Sequence, residues 1–504
     1  MFGAVPGIAD FPPKEHAARM SFQDVLKAGK WTRPAFLGSI RASRLPECDE
    51  VVYSKTLEEV RAGKAAGPFT EGEIAEQLGP EWVGARRVGI PQGGGFRCID
   101  DFSEFLQNST SETAVKAESS GVDVLVSMAR AWGAAVEQDG SVHVSLSDGS
   151  NLVGRLAPEY GGKEGVRPVG RAIDLKAAYK NVAPDAASSR LAVVGVWNPL
   201  LRRPELFRLF ALAFGARNSV FIFGYFGRAL EAILVEIFQV ALVEYVDDFP
   251  QIEPDRTAQS AWEVAEEVLA LLGWAVNREE AKRRPFGPVF KPLGIVLDLT
   301  GFTRGRIVVR DKPERTQATL KELADMAAAG SVPAIAGSLR GKLQFAKGQA
   351  FGGSGAFGLH GLGALERGPP RPPGPFLDGL LEFWVGYFRD LVPRTVLLRD
   401  LRPPVVVAVD GAVEGDGIGL ATFGAVLFDP VAGGPAQVIA EEVAEAPAAE
   451  WRAEGSKNVI MQAELLPAAV AACTWRESIR GRMVCLLVDN ESARFAPIKG
   501  YSAA

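Results

Sequence analysis

Two adjacent acids, Asp247 and Asp248, lie in ALVEYVDDFPQI between short apolar runs rich in β-branched and aromatic residues. That pattern predicts a strand, a tight turn and a returning strand over residues 241–252. Neighbouring carboxylates at a hairpin tip repel each other, and a divalent cation is their natural stabiliser. Aspartate is also an ordinary turn residue, so the pair gains chemical meaning only from partners. The first partner is Asp174 in VGRAIDLKAAYKNV, at the predicted end of a short apolar strand, with Tyr179 just downstream over the same pocket. Asp174 as a helix N-cap is the competing reading. Arg97 follows the glycine-rich tip Gly93 to Gly95, where backbone can approach a phosphate and a guanidinium can grip it bidentately; a plain hairpin with a surface arginine competes. Phe214-Gly215 stands just before a long amphipathic helix, and glycine there lets a flat substrate face approach the backbone.

A second group of acids lies near the C-terminus. Asp410 is predicted to end a strand in PVVVAVDGAV, Glu464 to occupy the first turn of a helix starting at Met461, and Asp489 to close the strand MVCLLVD. Each alone would be a cap or turn residue. Together they form an all-oxygen set suited to magnesium.

The elements that must position these residues follow from periodicity. Residues 57–78 read as two short helices split at Gly67-Pro68. Residues 109–168 carry an apolar helix and a small hairpin, and read as an insertion. The order helix, strand, hairpin, helix, strand through residues 169–299 predicts an antiparallel sheet with helices on one face, with Asp174 and Asp247 on neighbouring strands. Residues 312–366 read as helices, the second carrying Arg340, Lys342 and Lys347, which either track a phosphate backbone or form a solvated basic face. The proline-rich run Arg367 to Pro375 reads as a stiff linker. The expected class is α+β and multidomain: an N-terminal extension (1–56), a region carrying the first acids (57–311), a helical region (312–366), a linker (367–376) and a terminal α/β domain (377–504).

Composition narrows the setting. The 504 residues are 47% hydrophobic and 23% charged, ordinary for folded protein. The net charge of −6 excludes a globally basic nucleic-acid binder, yet between Arg278 and Lys347 there are 14 Lys or Arg against 7 Asp or Glu. An acidic protein holding metals between carboxylates can keep a basic groove in this way. The 4 cysteines and 3 histidines are scattered, which argues against a structural zinc or a disulfide framework and fits a reducing compartment. The N-terminus lacks a basic region before its apolar stretch, and the most apolar helix candidate, Phe221 to Val243, carries Arg228, Glu231 and Glu236. An intracellular protein, cytoplasmic or nuclear and without a membrane span, is therefore expected.

The motifs GFRCIDDFSEFLQN, AIDLKAAY, LAFG, YVDD, GWAVN with PLGIVLD, and SLRGKLQFA, then VDGA, QAELLPAAVAA and LLVDNESA, resemble in this order a reverse transcriptase followed by a ribonuclease H-like domain. They are most like the polymerases of DIRS-class retroelements. The resemblance implies fingers, an antiparallel palm sheet and a helical thumb ahead of the ribonuclease H-like domain. It implies that Asp174, Asp247 and Asp248 hold two magnesium ions, or manganese, about 3.5 to 4 Å apart for transfer of dNTPs onto a primer 3'-hydroxyl on an RNA or DNA template. Arg97 would grip the triphosphate, Phe214 and Gly215 would line the nucleotide pocket, and Tyr179 would lie under the sugar and exclude a 2'-hydroxyl. Asp410, Glu464 and Asp489 would cut RNA in a hybrid. The chain departs from the family at Gln92, where the fingers tip usually carries lysine, at Ser219-Val220 in place of a small-residue–proline pair, and at Glu280, where many members have lysine. Gln92 and Glu280 motivate the alternative of a nucleic-acid-binding retroelement remnant that has lost its chemistry.

Overall fold

The computed structural model describes residues 17–92, 94–112, 120–279, 283–350, 355–391, 393–414, 420–445, 448–449, 451, 459–491 and 493–494. Gly93, Glu280 and the terminal ten residues lie outside these. The chain is a mixed α/β protein with several sheets, and its described residues form two compact units, one built from 17–125 and 167–293, the other from 126–166 and 294–494. Among the described residues no helix is long and apolar enough to cross a membrane.

The first unit contains a five-stranded sheet in the spatial order Ala65–Phe69, Arg203–Leu209, Val193–Asn198, Gly84–Gln92, Gly95–Asp101. Of the segment 1–56, expected to be an extension, the described residues from 17 on supply one helix and most of a second to its core. Phe22–Ser39 buries Val25, Leu26 and Phe36 against Trp82 and Val193, and Pro46–Arg61 buries Cys48 and Val52 against Val194 and Phe207. Their weak periodicity hid them, because each buries only a narrow stripe. Gly67-Pro68 falls between two helices, Pro46–Arg61 and Glu71–Leu78, as predicted, but not in a bare break. It lies within the edge strand Ala65–Phe69, where a proline removes no ladder bond the sheet needs. The Gly84–Gln92 and Gly95–Asp101 strands form the predicted glycine-tipped hairpin, with Ile90 opposite Arg97 and Arg87 opposite Asp100.

Beside this sheet, Pro168–Asp174 pairs antiparallel with Asp248–Pro254. Ile173 and its cross-strand partner Phe249 turn inward onto Phe223, Leu234 and Leu269, and alternation sends Asp174 and Asp248 to the other face. The helix Arg217–Ala232 runs into a π turn, Ile233–Ile237, before the chain enters the hairpin.

In the second unit the four helices Pro313–Ala329, Pro333–Gln349, Ala356–Arg367 and Pro375–Asp390 share one core, with Leu323, Leu339, Leu362 and Trp384 buried together. The proline-rich run therefore joins two helices of one cluster instead of separating two cores. Its Arg371 pairs through the backbone with Ser331, which fixes it to the helical cluster. Two of the three basic residues expected to track phosphate are engaged internally, Arg340 with Glu366 at 2.6 Å and Lys342 with Glu322 at 2.7 Å. The predicted helix and hairpin of the 109–168 region appear as Val122–Ala135 and as Ser141–Ser145 paired with Asn151–Arg155. A four-stranded sheet follows in the order Gln437–Glu442, Ala421–Phe428, Val405–Val413, Val484–Val488, with its last pair parallel and Ile460–Thr474 packed on it.

Candidate functional site

Strand register brings the first group of acids together. Asp174 is the direct cross-strand partner of Asp248. Tyr245 and Asp248 exchange both backbone hydrogen bonds, at 2.9 and 3.1 Å, which closes a two-residue turn of Val246 and Asp247. Asp247 is thus the tip, and Asp248 begins the returning strand. Val246 adopts φ 58°, a left-handed conformation that a β-branched residue rarely accepts and that costs about 1–3 kcal/mol. The Asp247 carbonyl accepts from the Leu175 N–H at 3.4 Å, stitching the turn to the end of the Asp174 strand. Among the described residues these three carboxylates do not form a group with ligand atoms all within 4.8 Å.

Around the tip the other predicted residues form a continuous aromatic and cationic wall. The Arg97 guanidinium lies 3.9 Å above the Phe214 ring, and Phe214 meets Tyr179 edge-on at 5.8 Å. Tyr179 packs in turn on buried Phe223 at 5.2 Å. Burial pushes the Tyr179 phenol up to about 12, the Asp247 charge adding to the shift and Arg97 opposing it, so the hydroxyl is a neutral donor at physiological pH. Gly215 has φ 131°, and a Cβ there would run into the Asp100 carbonyl. Asp100 also donates its N–H to the Phe214 carbonyl at 2.9 Å.

Several residues without an expected role support this arrangement. Asn108 donates to the Gly215 carbonyl at 3.1 Å and accepts from the Arg217 N–H at 2.8 Å, bracketing the glycine. Arg87, fully enclosed, pairs with Asp100 at 2.7 Å and Glu59 at 2.9 Å. Asn277 donates to the Asp174 carboxylate at 3.0 Å. Asn108 and Asn277 stood inside recognisable motifs, but nothing in the sequence said which groups they would meet.

Glu244 is the least expected member. It is 2% exposed, in space that only a glycine at 227 leaves open. Burial pushes its carboxyl up to about 7, with Glu231 adding to the rise, while a hydrogen bond from the Val246 N–H and the charge of Arg228 pull it down. The signal in the sequence was an acid inside an otherwise apolar run. A carboxyl whose folded pKa is raised contributes stability that is complete below its unfolded value of 4.5 and is lost as pH rises through 7. Glu244→Gln is therefore expected to flatten the pH dependence of stability between those values and to be the more stable form at pH 8 by about 1–3 kcal/mol. Denaturant melts across pH check this.

The second group converges in the other unit. The parallel pairing of Val409 with Val488 ends there, so Asp410 and Asp489 follow side by side. Asp410 does not end its strand, which runs on to Val413 because the antiparallel partner Ala421–Phe428 continues beyond it. Glu464 comes from the second turn of Ile460–Thr474, not the first. Gly411 lets that helix approach, since a Cβ there would collide with the Ala463 carbonyl. Asp410, Glu464 and Asp489 bring one carboxylate oxygen each within 4.8 Å of one another. Burial raises the Glu464 carboxyl, and Asp489 and Asp410 raise it further. Among the described residues its Oε2 is enclosed without a hydrogen-bond partner, while Asn490 donates to Oε1 at 3.5 Å. An orphaned anionic oxygen among three hard donors fits a divalent cation such as magnesium.

No protein-family model matches this chain, and no curated protein matches it. Among solved structures it is similar to a foamy viral protease–reverse transcriptase in complex with double-stranded DNA, at 12% identity and a TM-score of 0.48. The match covers 88% of this chain and 63% of that one, so the chain spans less than two thirds of that protein's length.

Proposed function

We propose that this chain is an RNA-directed DNA polymerase of retroelement origin, with fingers and a palm that carries Asp174, Asp247 and Asp248 and with a helical thumb, and that it also cleaves RNA in hybrids through Asp410, Glu464 and Asp489. The observation that carries the polymerase reading is the pairing of Asp174 with Asp248 beneath a strained turn that presents Asp247 beside Tyr179. The donors are all carboxylate oxygens, a set that suits magnesium or manganese. Magnesium held there would supply charge neutralisation and a lowered pKa for the primer 3'-hydroxyl. Arg97, braced on Phe214, would receive the triphosphate of an incoming dNTP. Tyr179 would face the sugar, with Phe214 and Gly215 forming the adjoining wall.

Primer extension on an RNA template with magnesium and dNTPs tests this reading, and template-dependent incorporation is expected. Salt-sensitive binding of primer-template with no incorporation would instead support a remnant that keeps only a binding groove. That second reading draws on Gln92, exposed at the fingers tip, and on the separation of the three palm carboxylates. The Tyr179 assignment carries its own prediction. Tyr179→Ala is expected to raise ribonucleotide incorporation relative to deoxynucleotide by roughly tenfold or more, read as the ratio of kcat/KM values.

A further inference from the structure

The segment after Gly273 does more than continue the chain. Trp274 is buried against Phe223 at 5.8 Å, and the three residues after it run antiparallel to the end of the Asp174 strand. Lys176 donates to the Ala275 carbonyl at 2.7 Å, Leu175 and Val276 form a bridge, and Asn277 donates its backbone N–H to the Asp174 carbonyl at 2.8 Å. Asn277 is therefore fixed in register with Asp174 by main-chain bonds before its side chain is considered.

That side chain has a determined orientation. Its Oδ1 accepts the Glu279 N–H at 3.1 Å, so its Nδ2 must face the other way, and there it donates to Asp174 Oδ2 at 3.0 Å. The amide cannot be flipped without setting an NH₂ group against the Glu279 N–H and an oxygen against a carboxylate. Asn277 is 9% exposed, so water competes little for either bond.

We propose that Asn277 is the positioning residue for Asp174, fixing the plane in which that carboxylate meets a divalent cation; this rests on the polymerase reading above. A ligating carboxylate is itself hydrogen-bonded in well-formed metal sites, and loss of such an outer partner weakens metal binding about 10- to 100-fold. Asn277 acts through Asp174 and does not touch the reacting atoms.

The test is Mn²⁺ binding to the full chain, measured by electron paramagnetic resonance of the free ion in a background carrying Asp410→Asn, Glu464→Gln and Asp489→Asn, which removes the other carboxylate group. Asp174→Asn serves as the control for the site. Asn277→Ala is expected to weaken the Asp174-dependent binding by about tenfold or more. Asn277→Ser separates the two bonds of the amide. A serine hydroxyl can still accept the Glu279 N–H as a turn cap but is too short to span to Asp174. It is expected to bind Mn²⁺ as poorly as the alanine variant, and it also serves if the alanine variant does not fold. Parent-like affinity in Asn277→Ser would overturn the proposal, because the residue would then act only as a turn cap. Parent-like affinity in folded Asn277→Ala would overturn it equally. If Asp174→Asn binds as the parent does, the metal-site reading itself falls, and the inference falls with it.

Discussion

Asp247→Ala is expected to lower primer extension by about a thousandfold or more while leaving the protein folded, because it removes several kcal/mol of transition-state stabilisation. The structure separates the two effects. What ties Asp247 to its surroundings is its backbone, whose carbonyl accepts from Leu175, and alanine keeps that bond. Its carboxylate lies on a half-exposed turn, so truncation opens no cavity. Stability should shift by no more than about 1 kcal/mol. Single-turnover extension with parallel thermal melts checks both. Equal extension by the wild type and the variant would remove the aspartates from the chemistry.

Glu464→Gln should reverse the sign of its effect on stability according to whether a divalent cation is present. Without metal the glutamate is a poorly solvated charge beside Asp410 and Asp489, so the neutral amide, which keeps the shape and loses the repulsion, should melt higher. With magnesium or manganese at a hundred times its dissociation constant, the wild type should gain about 2.7 kcal/mol, a rise of roughly 5 °C or more. The variant should gain little of this. Thermal melts with chelator and with added metal measure the reversal. Cleavage of RNA in an RNA–DNA hybrid should fall by roughly a hundredfold or more in the same variant. Melts unaffected by metal in both forms would leave the trio as three acids that happen to be close.

The local elements of both sites were legible because their signals are short-range. An acid after an apolar strand, two acids between β-branched runs and a glycine-tipped hairpin before an arginine each appear within a dozen residues, and the Asp174 strand, the turn with its returning strand and the glycine-tipped hairpin formed. The leading strand expected before the turn is reduced to isolated bridges at Leu242 and Tyr245. The less legible features needed information from elsewhere in the chain. Pro68 was read as a helix breaker because proline punctuates, yet what decides its role is lying on the outermost strand of a sheet whose neighbour is Arg203–Leu209. The proline-rich run looked like a domain boundary because it is stiff and polar, but Trp384 beyond it and Leu339 before it are buried in one core. The internal pairing of Arg340 and Lys342 likewise depends on acids from other helices.

By itself the sequence determined the chemistry available. It set two groups of carboxylates, each on elements whose periodicity brings a strand end or a turn to the surface, with an arginine and a tyrosine beside the first. Residue type and local spacing suffice for that, since strand alternation and turn formation are decided over a few residues. Only the tertiary structure decided what those groups meet. It set Asp174 opposite Asp248, turned the Asn277 amide onto Asp174, enclosed Glu244 beneath the turn and left Glu464 Oε2 without a partner among the described residues. Each depends on register and burial between segments distant in the chain, where a shift of one residue would send the same side chains to the opposite face.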